Sequence, residues 1–202
     1  VTLIAVSKTK PVEMMAELVN AGHSIFGENY VQEAAAKRSE LGEGVELHLI
    51  GHLQRNKAKQ AVQIFDLIQS VDSLRLAEEI SKEAVKIGKR MPVLIQVNIS
   101  AEGSKSGIDT VQTVELCSAL SKLDGLELRG LMSIGSYIPE SAADSERRRE
   151  FKLMSQLLAE VNQSLGSNLR ELSMGMSHDY TLAIEEGATI VRVGSQIFGA
   201  RD

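Results

Sequence analysis

Lys8 closes a short apolar run, Leu3-Ile4-Ala5-Val6-Ser7-Lys8, and Thr9-Lys10-Pro11 with an amphipathic segment follows directly. The pattern reads as a buried strand that delivers an amine to a strand-to-helix junction. An ammonium there is costly unless it is paired or neutralised, and a desolvated lysine with a lowered pKa is the usual nucleophile toward carbonyl compounds. The competing reading is a snorkelling lysine, its stem packed and its charge in water.

The second cation is Arg192. Alternation puts Ile190, Arg192 and Gly194 on one strand face, just as it puts Ile4, Val6 and Lys8 on another. If the two runs are neighbours, Lys8 and Arg192 both point inward, and two cations in one apolar mouth require an anion. The structural alternative is Arg192 paired with a carboxylate such as Glu28.

The segment Ser173-Met174-Gly175-Met176-Ser177-His178-Asp179 and the triplet Val193-Gly194-Ser195 bring small residues to two more strand ends. Backbone N–H groups can approach a phosphate there, and Ser177 and Ser195 add hydroxyls. Ser177 or Asp179 could also cap a helix starting near residue 179, and the two roles are compatible. Asn29, closing Phe26-Gly27-Glu28-Asn29, can hydrogen-bond a ring hydroxyl or the imine region near Lys8. His48 and His52 share a strand face, but no third metal ligand is specified, so satisfied histidines or a binding rim are expected. Arg147-Arg148-Arg149 reads as a solvated helix face, and the single cysteine, Cys117, as a small core residue.

The elements that position these groups are short β-rich runs alternating with helix-period segments about every 25 residues. Eight strands are read at 3–8, 24–29, 46–52, 67–72, 92–99, 126–135, 171–176 and 190–198. Helices lie between them, clearest at 145–166, where Phe151, Met154, Leu157, Leu158, Val161 and Leu165 recur at steps of three and four. Pro11 suits a first helical turn, Asp72-Ser73 a cap before a helix at 74–87, and Gly22, Gly88, Gly125 and Gly187 fall where helices stop. Eight βα units in 202 residues point to a single-domain (β/α)8 barrel over 1–202, with an open doubly wound sheet as the alternative. Closure makes the first and last strands neighbours.

The composition, 43% hydrophobic and 24% charged with a net charge of -5, is that of a globular chain and gives no support to polyanion binding. No nucleic-acid partner is expected. One cysteine excludes an internal disulfide, and no stretch nears the roughly 18 apolar residues of a membrane span. A cytoplasmic protein without a membrane partner is the expectation.

Ala5-Val6-Ser7-Lys8-Thr9-Lys10-Pro11, Phe26-Gly27-Glu28-Asn29, His48-Leu49-Ile50-Gly51-His52-Leu53-Gln54-Arg55-Asn56-Lys57, Ser173-Met174-Gly175-Met176-Ser177 and Val191-Arg192-Val193-Gly194 together resemble the pyridoxal phosphate homeostasis protein family, in order and along the whole chain. The resemblance implies a barrel like the N-terminal domain of alanine racemase. It also implies pyridoxal 5'-phosphate as cofactor, held by Lys8 as an internal aldimine. Carried over by residue, it assigns Ser177, Gly194 and Ser195 to the phosphate and Arg192 to the pyridine nitrogen, with Asn29, Met174 and Gly175 lining the remainder. Ser195 replaces a threonine common in the family but keeps its hydroxyl. Family members usually carry a helix before the first strand; none is read here, and a trimmed or disordered segment is the expectation.

An arginine facing the pyridine nitrogen neither protonates the ring nor gives up its own proton, so the cofactor is a poorer electron sink. The resemblance therefore implies a non-catalytic carrier in vitamin B6 homeostasis, with apo-enzymes as possible recipients. A racemase is the alternative, but it needs a second base, and Tyr30, Tyr137 and Tyr180 are not placed opposite Lys8 by the sequence. An aldolase-like barrel using Lys8 on a sugar phosphate is a third. Racemase dimers rely on a following β-domain, so a monomer is expected.

Overall fold

The computed structural model describes residues 1–42, 44–100, 106–136, 138–139 and 141–199. Its strands are β1 (Thr2–Val6), β2 (Ile25–Glu28), β3 (Glu46–Leu49), β4 (Leu67–Val71), β5 (Met91–Val97), β6 (Leu126–Ser133), β7 (Glu171–Met176) and β8 (Ile190–Val193). All pair in parallel, in chain order, and close through β1 against β8 with Ile4 opposite Arg192. The doubly wound alternative is thereby removed. The α-helices are α1 (Val12–Asn20), α2 (Val31–Leu41), α3 (Ala58–Ile64), α4 (Leu74–Lys86), α5 (Thr113–Leu120), α6 (Asp144–Leu165), α7 (Tyr180–Glu185) and α8 (Ser195–Phe198).

Two apolar layers hold this ring together. Ile4, Leu67, Leu94, Met132 and Ile190, one from each of five strands, fill the barrel's inside. The larger layer lies between sheet and helices, where α6 contributes Phe151, Met154, Leu157 and Val161 and α4 contributes Leu76, Ala77, Ile80 and Ala84. Each fully buried large side chain contributes about 1.5–3 kcal/mol relative to exposure, so the helical stripes suffice to fix helices on strands. Cys117 is fully buried in this layer, and burial pushes its thiol up to about 12.

Several strand ends fall short of the sequence expectation, because the residues that face the mouth turn away before the ladder would have continued. The run 190–198 is the clearest correction: β8 stops at Val193, and 195–198 form α8. Lys8 likewise lies beyond β1, in a turn closed by Lys10 N–H donating to the Ser7 carbonyl at 3.0 Å.

Candidate functional site

A cavity of about 500 Å³ opens at the C-terminal ends of the strands. Its lining includes Lys8, Asn29, Ser177, Arg192, Gly194 and Ser195, so six of the eight residues singled out in the sequence share one space. The other two do not line it. Met174 is fully buried in the layer between sheet and helices, and Gly175 lies against Tyr180 and Ala183 of α7. The reason is a bulge: Ser173 pairs with Ile190 but Met176 pairs with Arg192, so three steps of β7 match two of β8. Gly175, at φ +88°, supplies the extra residue, and alternation restarts beyond it with Met176 on the cavity.

The turn carrying Lys8 is clamped from both sides. Lys37, on α2 and nearly buried, donates to the Ser7 carbonyl at 2.7 Å, to Glu28 Oε1 at 2.8 Å and to Glu33 Oε1 at 2.7 Å. The Ser7 hydroxyl donates to Glu28 Oε1 at 2.5 Å, and the Thr9 N–H donates to Glu33 Oε1 at 2.6 Å. Thr9 is the one non-glycine residue with positive φ among the described residues, at +62°. A β-branched residue holds that conformation only when its surroundings impose it, and here Glu33 takes up its N–H. Burial pushes the Glu28 carboxyl above its ordinary value, against the bonds from Lys37 and Ser7 that act the other way. Its Oε2 meets no donor among the described residues.

Arg192 is not paired with Glu28, which Lys37 occupies instead. Its guanidinium, 4% exposed, donates to Ser173 Oγ at 2.6 Å and to the Ser133 carbonyl at 2.6 Å, both neutral acceptors. Burial pushes its pKa down to about 10, with Asp179 opposing, so it stays charged at neutral pH. On the same wall Ser177 Oγ accepts the Gly194 N–H at 3.2 Å. Asp179 does not cap α7 with its side chain; Oδ1 reaches back to the Met176 N–H at 2.7 Å and tightens the β7–α7 turn. Opposite, Gly51 lets the end of β3 approach Asn29, since a Cβ there would meet the Asn29 carbonyl oxygen at 2.5 Å.

The histidines divide. His48 is buried inside the barrel, whereas His52 stands exposed on the cavity rim, 3.6 Å from Asp72. Among the described residues no cluster could hold a metal ion. His52 thus takes the rim position expected of it, and Lys10 and His178, from two other loops, line the mouth as well, which strand-by-strand reading did not single out. Arg147 and Arg148 are not simply solvated: Arg147 donates to the His178 carbonyl at 3.1 Å, and Arg148 pairs with Glu185 and, at 3.0 Å, with Glu186. They fasten α6 to the β7–α7 side of the mouth. Tyr30 and Tyr180 are not among the cavity's lining residues, and Tyr137 lies outside the described residues.

The chain is a parallel eight-stranded barrel with a lysine just past its first strand and a buried arginine on its last, and the family model "Alanine racemase, N-terminal domain" matches residues 1–202, which puts it among the alanine racemase-type barrels. Within that class, the chain belongs to the pyridoxal phosphate homeostasis protein family. It is 44% identical over 211 residues to the member from Vibrio alginolyticus, covering all of this chain and 87% of that protein. To the member from Escherichia coli K12 it is 43% identical over 208 residues, covering all of this chain and 86% of that protein. The structure of PipY from Synechococcus elongatus with PLP bound superposes with a TM-score of 0.90 at 42% identity, over 98% of this chain and 92% of that one. An alanine racemase of Clostridium difficile shares the fold alone, with a TM-score of 0.80 at 14% identity, over all of this chain and 53% of that one.

Proposed function

We propose that this chain binds pyridoxal 5'-phosphate through Lys8 and serves vitamin B6 homeostasis by holding the cofactor rather than turning over a substrate on it. The observation that carries the proposal is the meeting of an amine, a buried guanidinium bonded, among the described residues, to two neutral acceptors, and a serine hydroxyl in one cavity of about 500 Å³. Those groups fit a small aromatic aldehyde with an anionic tail, and the space is ample for it. The PipY structure with PLP bound supports the same reading by kinship.

When bound, the cofactor supplies an aldehyde that condenses reversibly with an amine. Lys8 presents that amine from a turn whose flanking residues the Lys37 network holds. Arg192 keeps donor N–H groups at the ring end and does not deliver a proton, which separates this site from one built to stabilise a carbanion. Ser177, with the backbone of Gly194 and Ser195, forms the wall for the phosphate, and Asn29 lies on the cavity beside Lys8.

As part of the same proposal, apo-enzymes receive the cofactor by amine exchange, and the chain acts in the cytoplasm as a monomer of one domain, 1–202. No helix among the described residues is long and apolar enough to cross a membrane.

The direct test is borohydride reduction of the protein loaded with pyridoxal 5'-phosphate, followed by mass spectrometry of the peptides. Trapping at Lys8 with a visible-range absorption before reduction is the expected result; no adduct would sink the proposal. Ser177→Ala should weaken cofactor binding by about tenfold, since a hydrogen bond to a charged group contributes about 1.5 kcal/mol or more and backbone donors remain. Titration by absorbance measures it.

A further inference from the structure

A continuous chain of hydrogen bonds, buried up to its last link, runs from Arg192 through the barrel to its opposite end. Arg192 Nη1 donates to Ser173 Oγ at 2.6 Å, the Ser173 hydroxyl donates to Gln69 Oε1 at 2.7 Å, Gln69 Nε2 meets His48 Nδ1 at 3.0 Å, and His48 Nε2 meets Glu46 Oε1 at 2.7 Å. Ser173 and Gln69 are fully buried, and His48 is nearly so. Glu46 opens β3 at the floor of the barrel and is half exposed.

Both ends of this chain have a fixed polarity. A guanidinium can only donate, and a carboxylate can only accept. Ser173, accepting from Arg192, must pass its own proton on to Gln69 Oε1. Gln69 then presents its NH2 to His48, so Nδ1 accepts and Nε2 carries the proton given toward Glu46. The His48 bond is the largest influence holding the Glu46 carboxyl below its ordinary value, so that end is anionic near neutral pH. Every donor points from cation to carboxylate, and such aligned bonds polarise one another in a low-dielectric interior.

We propose that Gln69 and His48 are positioning residues for Arg192: by this one-way chain to Glu46 they keep the Ser173 lone pair on the guanidinium and so set its orientation at the cofactor's ring. The proposal rests on the reading of Arg192 as the group facing the ring nitrogen. Removing the polarity at His48 frees Gln69 to turn over, which brings NH2 to Ser173 and takes away the acceptor of the Ser173 proton. The guanidinium then reorients although none of its own contacts has been mutated.

His48→Leu and His48→Gln separate this role from packing, because the amide keeps one acceptor and one donor in line while leucine keeps neither. Both are prepared as full chains loaded with pyridoxal 5'-phosphate, and trapping at Lys8 is confirmed first. His48→Leu is expected to shift the visible absorption maximum and weaken cofactor binding about tenfold, the effect of one buried donor left unmatched. His48→Gln should restore the wild-type spectrum. Should His48→Leu not fold, Glu46→Met at the half-exposed end decides, with a smaller shift in the same direction expected. A lowered melting temperature with unchanged spectrum and affinity overturns the proposal, as does an unchanged spectrum in Glu46→Met. Failure to trap the cofactor at Lys8 in the wild-type chain would instead overturn the functional reading.

Discussion

Lys8→Ala is expected to abolish covalent trapping of pyridoxal 5'-phosphate completely. The amine is the nucleophile of the proposed function, and Lys10, the other lysine of the β1–α1 turn on the cavity, stands two residues further along. Cofactor affinity should fall on the order of a hundredfold, about 3 kcal/mol at 1.4 kcal/mol per tenfold, leaving only contacts to the ring and phosphate. The fold should persist, because the residues of β1 that fill the barrel and its outer layer, Ile4 and Ala5, are untouched. Absorbance titration and borohydride trapping read the result. An adduct that survives at full yield would refute the assignment, and its location would show whether Lys10, which lines the same cavity, carries it instead.

Lys37→Met carries the largest expected cost in stability. The ammonium serves three acceptors, the Ser7 carbonyl, Glu28 and Glu33, and both it and Glu28 are buried. Removing one partner of a buried ion pair typically costs about 3–5 kcal/mol, because a charge is left without compensation. For a chain of this length that lowers the melting temperature by roughly 10 °C. The loss should depend on pH. Burial already raises the Glu28 carboxyl above its ordinary value, and without Lys37 it rises further. A carboxyl raised in the folded state contributes its full stability below the unfolded value and loses it as pH rises through the folded one, so the variant's deficit should be larger at about pH 8 than at about pH 5. Melting curves of both proteins at the two values test this; a deficit that grows on acidification would contradict the charge state assigned to the pair. Loosening of the Lys8 turn should also slow cofactor attachment.

The barrel was legible because each βα unit announces itself locally. Apolar runs of strand length, stripes such as Phe151, Met154, Leu157 and Val161, and stops such as Gly88 and Gly187 depend on near neighbours only. Closure followed from counting eight units, and closure alone puts Lys8 near Arg192. The structure differs from the sequence expectation where a strand departs from simple alternation. The bulge at Gly175 removed Met174 and Gly175 from the cavity lining, and the early end of β8 turned Ser195 into the first residue of a helix. A glycine inside an apolar strand is the one local sign that could have flagged the bulge.

The sequence by itself determined the order of strands and helices, the strand ends on which the amine, the guanidinium and the serine hydroxyls sit, and the family resemblance those motifs carry. Only the tertiary structure decided which groups partner which. Glu28 goes to Lys37 rather than Arg192, and Arg192 is joined across the barrel, by way of Ser173, Gln69 and His48, to Glu46. Such pairings join residues far apart in the chain, Ser173 and Gln69 being 104 positions apart, and no periodicity records them. They follow from which side chains closure brings within hydrogen-bond reach, and from the high cost of leaving any buried polar group unmatched.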